Sequence, residues 1–207
     1  MLCRTRGWLV AVAAPLFAAA GIAAASAQQQ TVRVRGTIEA VDGRMMNVTA
    51  RDGTKLAIKI ADNVTVVGVV KASMSDIKVG GYVGAAGVPQ EDGSQRALEV
   101  LIFPEAMRGT AEGFLPWDLR PNSTMTNAIV AEVVAKVDSY TMRLKYKDGE
   151  KTVVVPPDVP IVTYVPGDKS ELKPGAKIFI AGAAKQPDGS LVAARVGVGR
   201  DSLTPPM

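Results

Sequence analysis

The sequence contains no histidine and a single cysteine, Cys3, and aromatic residues make up only 5% of its 207 positions. Without histidine there is no Ser-His-Asp triad and no imidazole ligand for a metal. One cysteine permits neither an internal disulfide nor a thiolate cluster for zinc. No acidic residue precedes Gln28. No D-x-D-x-D-G run suggests a calcium loop, and the methionines are scattered rather than grouped as Cu(I) ligands.

What the first residues do contain is ordered. Arg4 and Arg6 are followed by an uncharged run from Trp8 to Ala27 and then by Gln28-Gln29-Gln30, with Ala25 and Ala27 flanking Ser26. This is the three-part layout of a secretory signal peptide with an A-x-A cleavage site, so residues 1–27 are expected to be removed and the remainder to be periplasmic or secreted. The alternative is an uncleaved anchor, since the run approaches the roughly 20 residues of a spanning helix. After cleavage Cys3 is gone, no long apolar run remains, and 22 basic residues face 20 acidic ones, a balance of +2. A weakly basic, mixed surface gives no electrostatic case for nucleic acid.

The remaining chain repeats itself. Val41-Asp42, Met46, Asp52-Gly53 and Lys55 recur as Val137-Asp138, Met142, Asp148-Gly149 and Lys151, a displacement of 96 residues (148 against 52). Asp76 to Gly80 matches Glu171 to Gly175 one residue out of step, and Asp92-Gly93-Ser94 matches Asp188-Gly189-Ser190. Two homologous units follow, residues 31–102 and 129–200, joined by a non-repeated segment, 103–128, and ending in a flexible tail, 201–207.

Within the first unit Val32, Val34, Ile38 and Ala40 alternate with polar residues, as do Met46, Val48 and Ala50, and then Leu56, Ile58 and Ile60 beyond the Asp52-Gly53 turn. Period-two alternation broken by Asp-Gly predicts three meandering strands. A short helical turn at 73–78 and two further strands at 82–88 and 94–102 complete the unit. The expected fold is all-β: two tandem five- to six-stranded OB-like Greek-key barrels, with a small sandwich as the alternative. Each unit is small enough for contact between the copies to matter.

The second unit departs from the first. Arg33, Arg35, Thr37 and Glu39 become Ile129, Ala131, Val133 and Ala135, and Ala57 and Lys59 become Val153 and Val155. Read at a constant offset, the outer face of two strands has turned apolar, which marks an interface, either internal or with a partner.

The middle segment carries Phe103, Phe114, Leu115 and Trp117 interleaved with Glu105, Arg108, Glu112, Asp118 and Arg120. Too apolar for a disordered linker, it is expected to be ordered. Two readings stand: the aromatics wedge between the barrels while the charges pair at the rim, or Arg108, Glu112, Phe114, Trp117, Asp118 and Arg120 form a ligand or partner site. The recurring Asp42, Asp52, Asp62, Asp138, Asp148 and Asp158 read as turn chemistry rather than acid–base pairs. No catalytic residue, cofactor or metal ligand is assigned.

The repeated Val-Asp turn, Asp-Gly hairpin, Lys-x-Gly before a strand and Asp-Gly-Ser hairpin resemble a secreted bacterial family of domains of unknown function, number 5666, over both units. The resemblance implies an OB-like β-barrel in tandem behind a signal peptide, with no established activity. The sequence therefore points to an exported, non-enzymatic binding or adaptor protein with an envelope protein partner. The alternative is a small-ligand or metal-ion binding protein with its site at the junction between barrels.

Overall fold

A computed structural model of the chain describes residues 30–206; the leader, residues 1–27, lies outside them. The described residues are all-β apart from three single 3-10 turns. The strands are β1 (Thr31–Asp42), β2 (Met45–Ala50), β3 (Lys55–Lys71), β4 (Tyr82–Pro89), β5 (Gln95–Ile102), β6 (Gly113–Pro116), β7 (Thr124–Ala135), β8 (Tyr140–Tyr146), β9 (Gly149–Val155), β10 (Ile161–Pro166), β11 (Lys177–Lys185) and β12 (Leu191–Gly199). Asp-Gly turns with glycine at positive φ, at Gly53, Gly93 and Gly189, join neighbouring strands, because only glycine enters that region without strain.

The two repeats do not each close on themselves. β1, β2 and β3 form a ring with β11 and β12, in the order β1-β2-β3-β12-β11 and back to β1. β7, β8 and β9 form the second set with β4 and β5, in the order β7-β8-β9-β5-β4 and back to β7. Each ring thus takes three strands from one repeat and two from the other. In both, the contact between the third strand and the last is parallel and the rest are antiparallel. The expectation that residues 31–102 and 129–200 each make a barrel differs from this pairing.

The reason lies in β3. It runs 17 residues without a turn, stays paired with β12 through a bulge between Ile60 and Thr65, and continues past its own ring. Its far end pairs antiparallel with β10, with Val69 opposite Tyr164 and Lys71 opposite Val162. Gly80 and Gly175, like Val69 and Tyr164, are separated by 95 residues, so the pairing joins equivalent positions of the two repeats. A pseudo-twofold axis passes between them, the geometry of a strand-swapped dimer written into one chain. In the second repeat Pro156, Pro157 and Pro160 split the same stretch into β9 and β10.

Both crossovers carry a capped turn. Ser73 and Asp76 cap one reciprocally, Asp168 and Glu171 the other. They deliver Ile77 to the second core and Leu172 to the first.

The cores record the exchange. Val34, Ile38, Met46, Val48 and Ile58 pack with Ile178, Ile180, Ala193 and Val196; Val83, Ala85, Ala97 and Val100 pack with Val130, Met142, Leu144, Val153 and Val155. Each fully buried Val, Ile, Leu or Met contributes about 1.5–3 kcal/mol of burial, so neither ring is stable without both repeats. A third cluster, Val69, Leu101, Val162 and Phe179, lies between the rings.

The apolar strip expected on the second unit is broken up. Val153 and Val155 are buried in the core rather than facing outward. The β8–β9 hairpin is one residue tighter than its counterpart, pairing Met142 with Val153 where Met46 pairs with Ile58, so the constant offset misplaces β9 by one. A bulge between Val130 and Glu132 likewise turns Val133 towards the core. Ile129 and Ala135 remain exposed. The tail also differs from expectation: Leu203 packs against the third cluster, and the Pro205 carbonyl accepts from Arg51 Nη2 at 2.5 Å.

Candidate functional site

Where the outer faces of the two rings meet, the middle segment roofs a cavity of about 210 Å³. From the first ring come Arg33 on β1, Ala181 on β11 and Arg195 on β12. These neighbours follow from the pairing of β1 with β11 and β11 with β12, with Val34, Ile180 and Val196 turned into the core. The second ring supplies Leu101 on β5, with Met125 and Asn127 on β7, and β10 supplies Tyr164. Gly84 lies between Asn127 and Leu101 in the sheet. A Cβ there would come within 2.6 Å of Asn127 Oδ1 and 3.1 Å of Phe103, so glycine is what lets both side chains cross this face.

The roof is built by local hydrogen bonding. The 3-10 turn Glu105–Met107 closes on Arg108, whose guanidinium holds Glu105 at 2.5 Å and donates to the Gly80 carbonyl at 3.0 Å. β6 then adds to β7, Leu115 opposite Met125. Ser123 Oγ bonds the Trp117 and Arg120 carbonyls at 3.0 and 2.8 Å, closing the loop that presents the indole. Asn122 supplies the positive φ that this loop requires.

Trp117 sits against Phe179 edge-on, centroids 6.5 Å apart, with the Arg33 guanidinium stacked 4.0 Å from its ring. Such a stack is worth about 0.5–2 kcal/mol. Its Nε1 is buried and has no hydrogen-bond partner among the described residues, a cost of about 1–3 kcal/mol unless something supplies an acceptor. Asp118 accepts from Arg35 at 2.7 Å and lies 3.8 Å from Arg33. Burial pushes the Asp118 carboxyl up, and the hydrogen bond and charge of Arg35, with Arg33, outweigh it to leave the group below its usual range.

The other predicted residues are dispersed. Glu112 accepts from the Lys147 backbone N–H at 2.9 Å, and Phe114 lies under Lys151, 4.5 Å from the ring centre; both anchor the roof to the second ring. The Arg120 side chain is exposed and makes no hydrogen bond or ion pair among the described residues. Of the six, Trp117 alone lines the cavity. Arg33, Arg195, Asn127 and Tyr164 escaped the sequence reading. Arg33 was visible as an outward polar position of its strand, but a solvated arginine and a junction arginine look alike in an alternating pattern.

A second junction residue also escaped it. Glu99 on β5 is 1% exposed and neither carboxylate oxygen has a hydrogen-bond partner among the described residues. Burial pushes its carboxyl up to about 8, against the pull of Arg35 and Arg51, so at neutral pH it is mostly protonated.

Turn aspartates are engaged locally. Asp52, Asp92 and Asp188 accept from Thr54, Ser94 and Ser190 at 2.9–3.0 Å, and these bonds hold them below the usual carboxylate range. Among the described residues no three His, Cys, Asp or Glu side chains converge as a metal site, and no helix is long and apolar enough to cross a membrane. No family model matches the chain, and no curated protein or solved structure matches it significantly.

Proposed function

We propose that the protein is an exported, non-enzymatic binding protein of two OB-like barrels that holds a small ligand in the cavity between them. The observation that carries the reading is the cavity itself: apolar walls from both rings, a dedicated non-repeated roof, and Arg33 and Arg195 among the lining residues. Concave, mostly apolar sites with a few convergent polar groups are the usual form of ligand pockets. About 210 Å³ is below the roughly 300–1,000 Å³ of drug-sized sites, so the ligand is small. The OB-like assignment is supported by the strand order, in which the third strand of each ring runs parallel to the fifth and a capped turn precedes the fourth. Export rests on the A-x-A leader. The resemblance to domains of unknown function number 5666 adds no activity.

The adaptor reading loses part of its support, since Val153 and Val155 are in the core and Val133 packs against it, while Ile129 and Ala135 stay exposed. Trp117 is the only tryptophan after Trp8, so its fluorescence in the leaderless chain reports the cavity. Titration with small solutes is expected to shift the emission saturably, and Ala181→Phe, which fills the cavity from an exposed strand position, abolishes the shift. A response to envelope protein fragments and to no small solute would favour the adaptor instead.

A further inference from the structure

We infer that the cavity ligand is a small amphiphilic anion, an apolar body carrying a carboxylate or similar acid group, bound with its charge at Arg195 and its tail against the second ring. The inference deepens the small-ligand reading and rests on it. It follows from which polar needs around the cavity are met and which are not.

Several neutral polar groups at the cavity are engaged within the protein. Thr110 Oγ1 donates to the Met107 carbonyl at 2.6 Å, Asn127 Nδ2 donates to the Ala111 carbonyl at 3.1 Å, and the Thr110 carbonyl accepts from Tyr82. The groups left over are donors. Arg195 makes no hydrogen bond or ion pair among the described residues. Arg33, stacked on the Trp117 ring, lies 3.8 Å from Asp118, whose carboxylate is engaged by Arg35 at 2.7 Å. No Asp or Glu lines the cavity, while two arginines do.

A cation ligand would meet two guanidinium groups and no carboxylate. A neutral ligand would leave the Arg195 charge unanswered. An anion accepts from Arg195, and arginine is the side chain suited to planar acid groups. Leu101, Phe103, Leu115 and Met125 line the opposite wall and offer an apolar tail its burial, at about 25 cal/mol per Å² removed from water. Both halves of the site are needed, so an inorganic anion alone is a poor fit.

The test is calorimetric titration of the chain from Gln28 onward, which holds all the described structure, with octanoate, octanol, octylammonium and inorganic phosphate. Octanoate is expected to bind at least tenfold more tightly than octanol, and octylammonium and phosphate not measurably. Arg195→Ala, at an exposed position and checked for an unchanged melting temperature, is expected to weaken octanoate at least tenfold and leave octanol unchanged, while Arg195→Lys retains part of the preference. Equal binding of octanoate and octanol, or an Arg195→Ala variant that binds octanoate normally, overturns the anion and leaves the cavity reading standing. Binding of no amphiphile at all overturns both. Phosphate binding as tight as octanoate would show a surface anion site and contradict the amphiphile.

Discussion

The two sides of the pseudo-twofold axis are built from equivalent residues and have opposite fates. On one side, the segment that follows β5 arches over the junction and leaves a cavity beneath Trp117. On the other, the segment that follows β12, the C-terminal tail, packs Leu203 directly onto the third cluster. Phe103 lines the cavity, whereas its equivalent 96 residues on is Gly199, where a Cβ would collide with the Leu203 carbonyl. Arg195 and Glu99 are equivalent in the same sense: the first is exposed at the cavity and the second is buried and unpartnered. Duplication supplied two junctions; one was filled, and the other kept a charged mouth and an apolar wall.

Breaking the exchange is expected to have the largest effect. Residues 30–102 expressed alone have three strands of one ring and two of the other, and lack half of every core. They should be unfolded or dimeric by circular dichroism and light scattering, and co-expression with residues 103–206 should restore a folded one-to-one complex. A folded monomer of the first fragment would contradict the strand pairing.

Next is the buried acid. The unfolded Glu99 carboxyl titrates near 4.5 and the folded one near 8. Between those values the folded chain keeps a proton that the unfolded chain has lost, so stability falls as pH rises through this window and reaches its low plateau above about 8. Glu99→Gln should flatten the dependence and exceed the wild type at pH 9 by roughly 2–4 kcal/mol in urea titrations. A parallel pair of pH profiles would remove Glu99 from the account.

Smaller, and aimed at the rings themselves, is a pair of substitutions at positions a constant offset equates. Val155→Ala should cost about 1–3 kcal/mol because that side chain is in the core. Lys59→Ala, on the exposed face of β3, should stay within about 0.5 kcal/mol. Equal costs would mean that the two hairpins share a register after all.

Much of this was legible in the sequence. Period-two alternation and Asp-Gly turns located β1 to β5, and the repeat predicted the same elements again. The aromatic middle segment stood out as ordered and led to Trp117. The exchange itself was hidden, because alternation specifies which face of a strand is buried and not which strand covers it. Val66 to Lys71 lies beyond Ile60, the last alternating residue read for the third strand, although it is the stretch that carries β3 into the junction. Arg33 and Arg195 lie 162 positions apart (195 against 33) and meet only because β1 and β12 flank the same strand, β11.

The most direct test of the exchanged architecture uses residues 28–207, which contain no native cysteine. Thr37 and Lys177 are cross-strand partners on β1 and β11, with the Cα separation of about 4.5–5.5 Å typical of antiparallel pairs, within disulfide range. The leaderless Thr37→Cys, Lys177→Cys variant, oxidised and then separated by size, is predicted to yield a monomer carrying one internal crosslink and an unchanged circular dichroism spectrum. A monomer that stays reduced, or crosslinks that form only between chains, would contradict the pairing of the first repeat with the second.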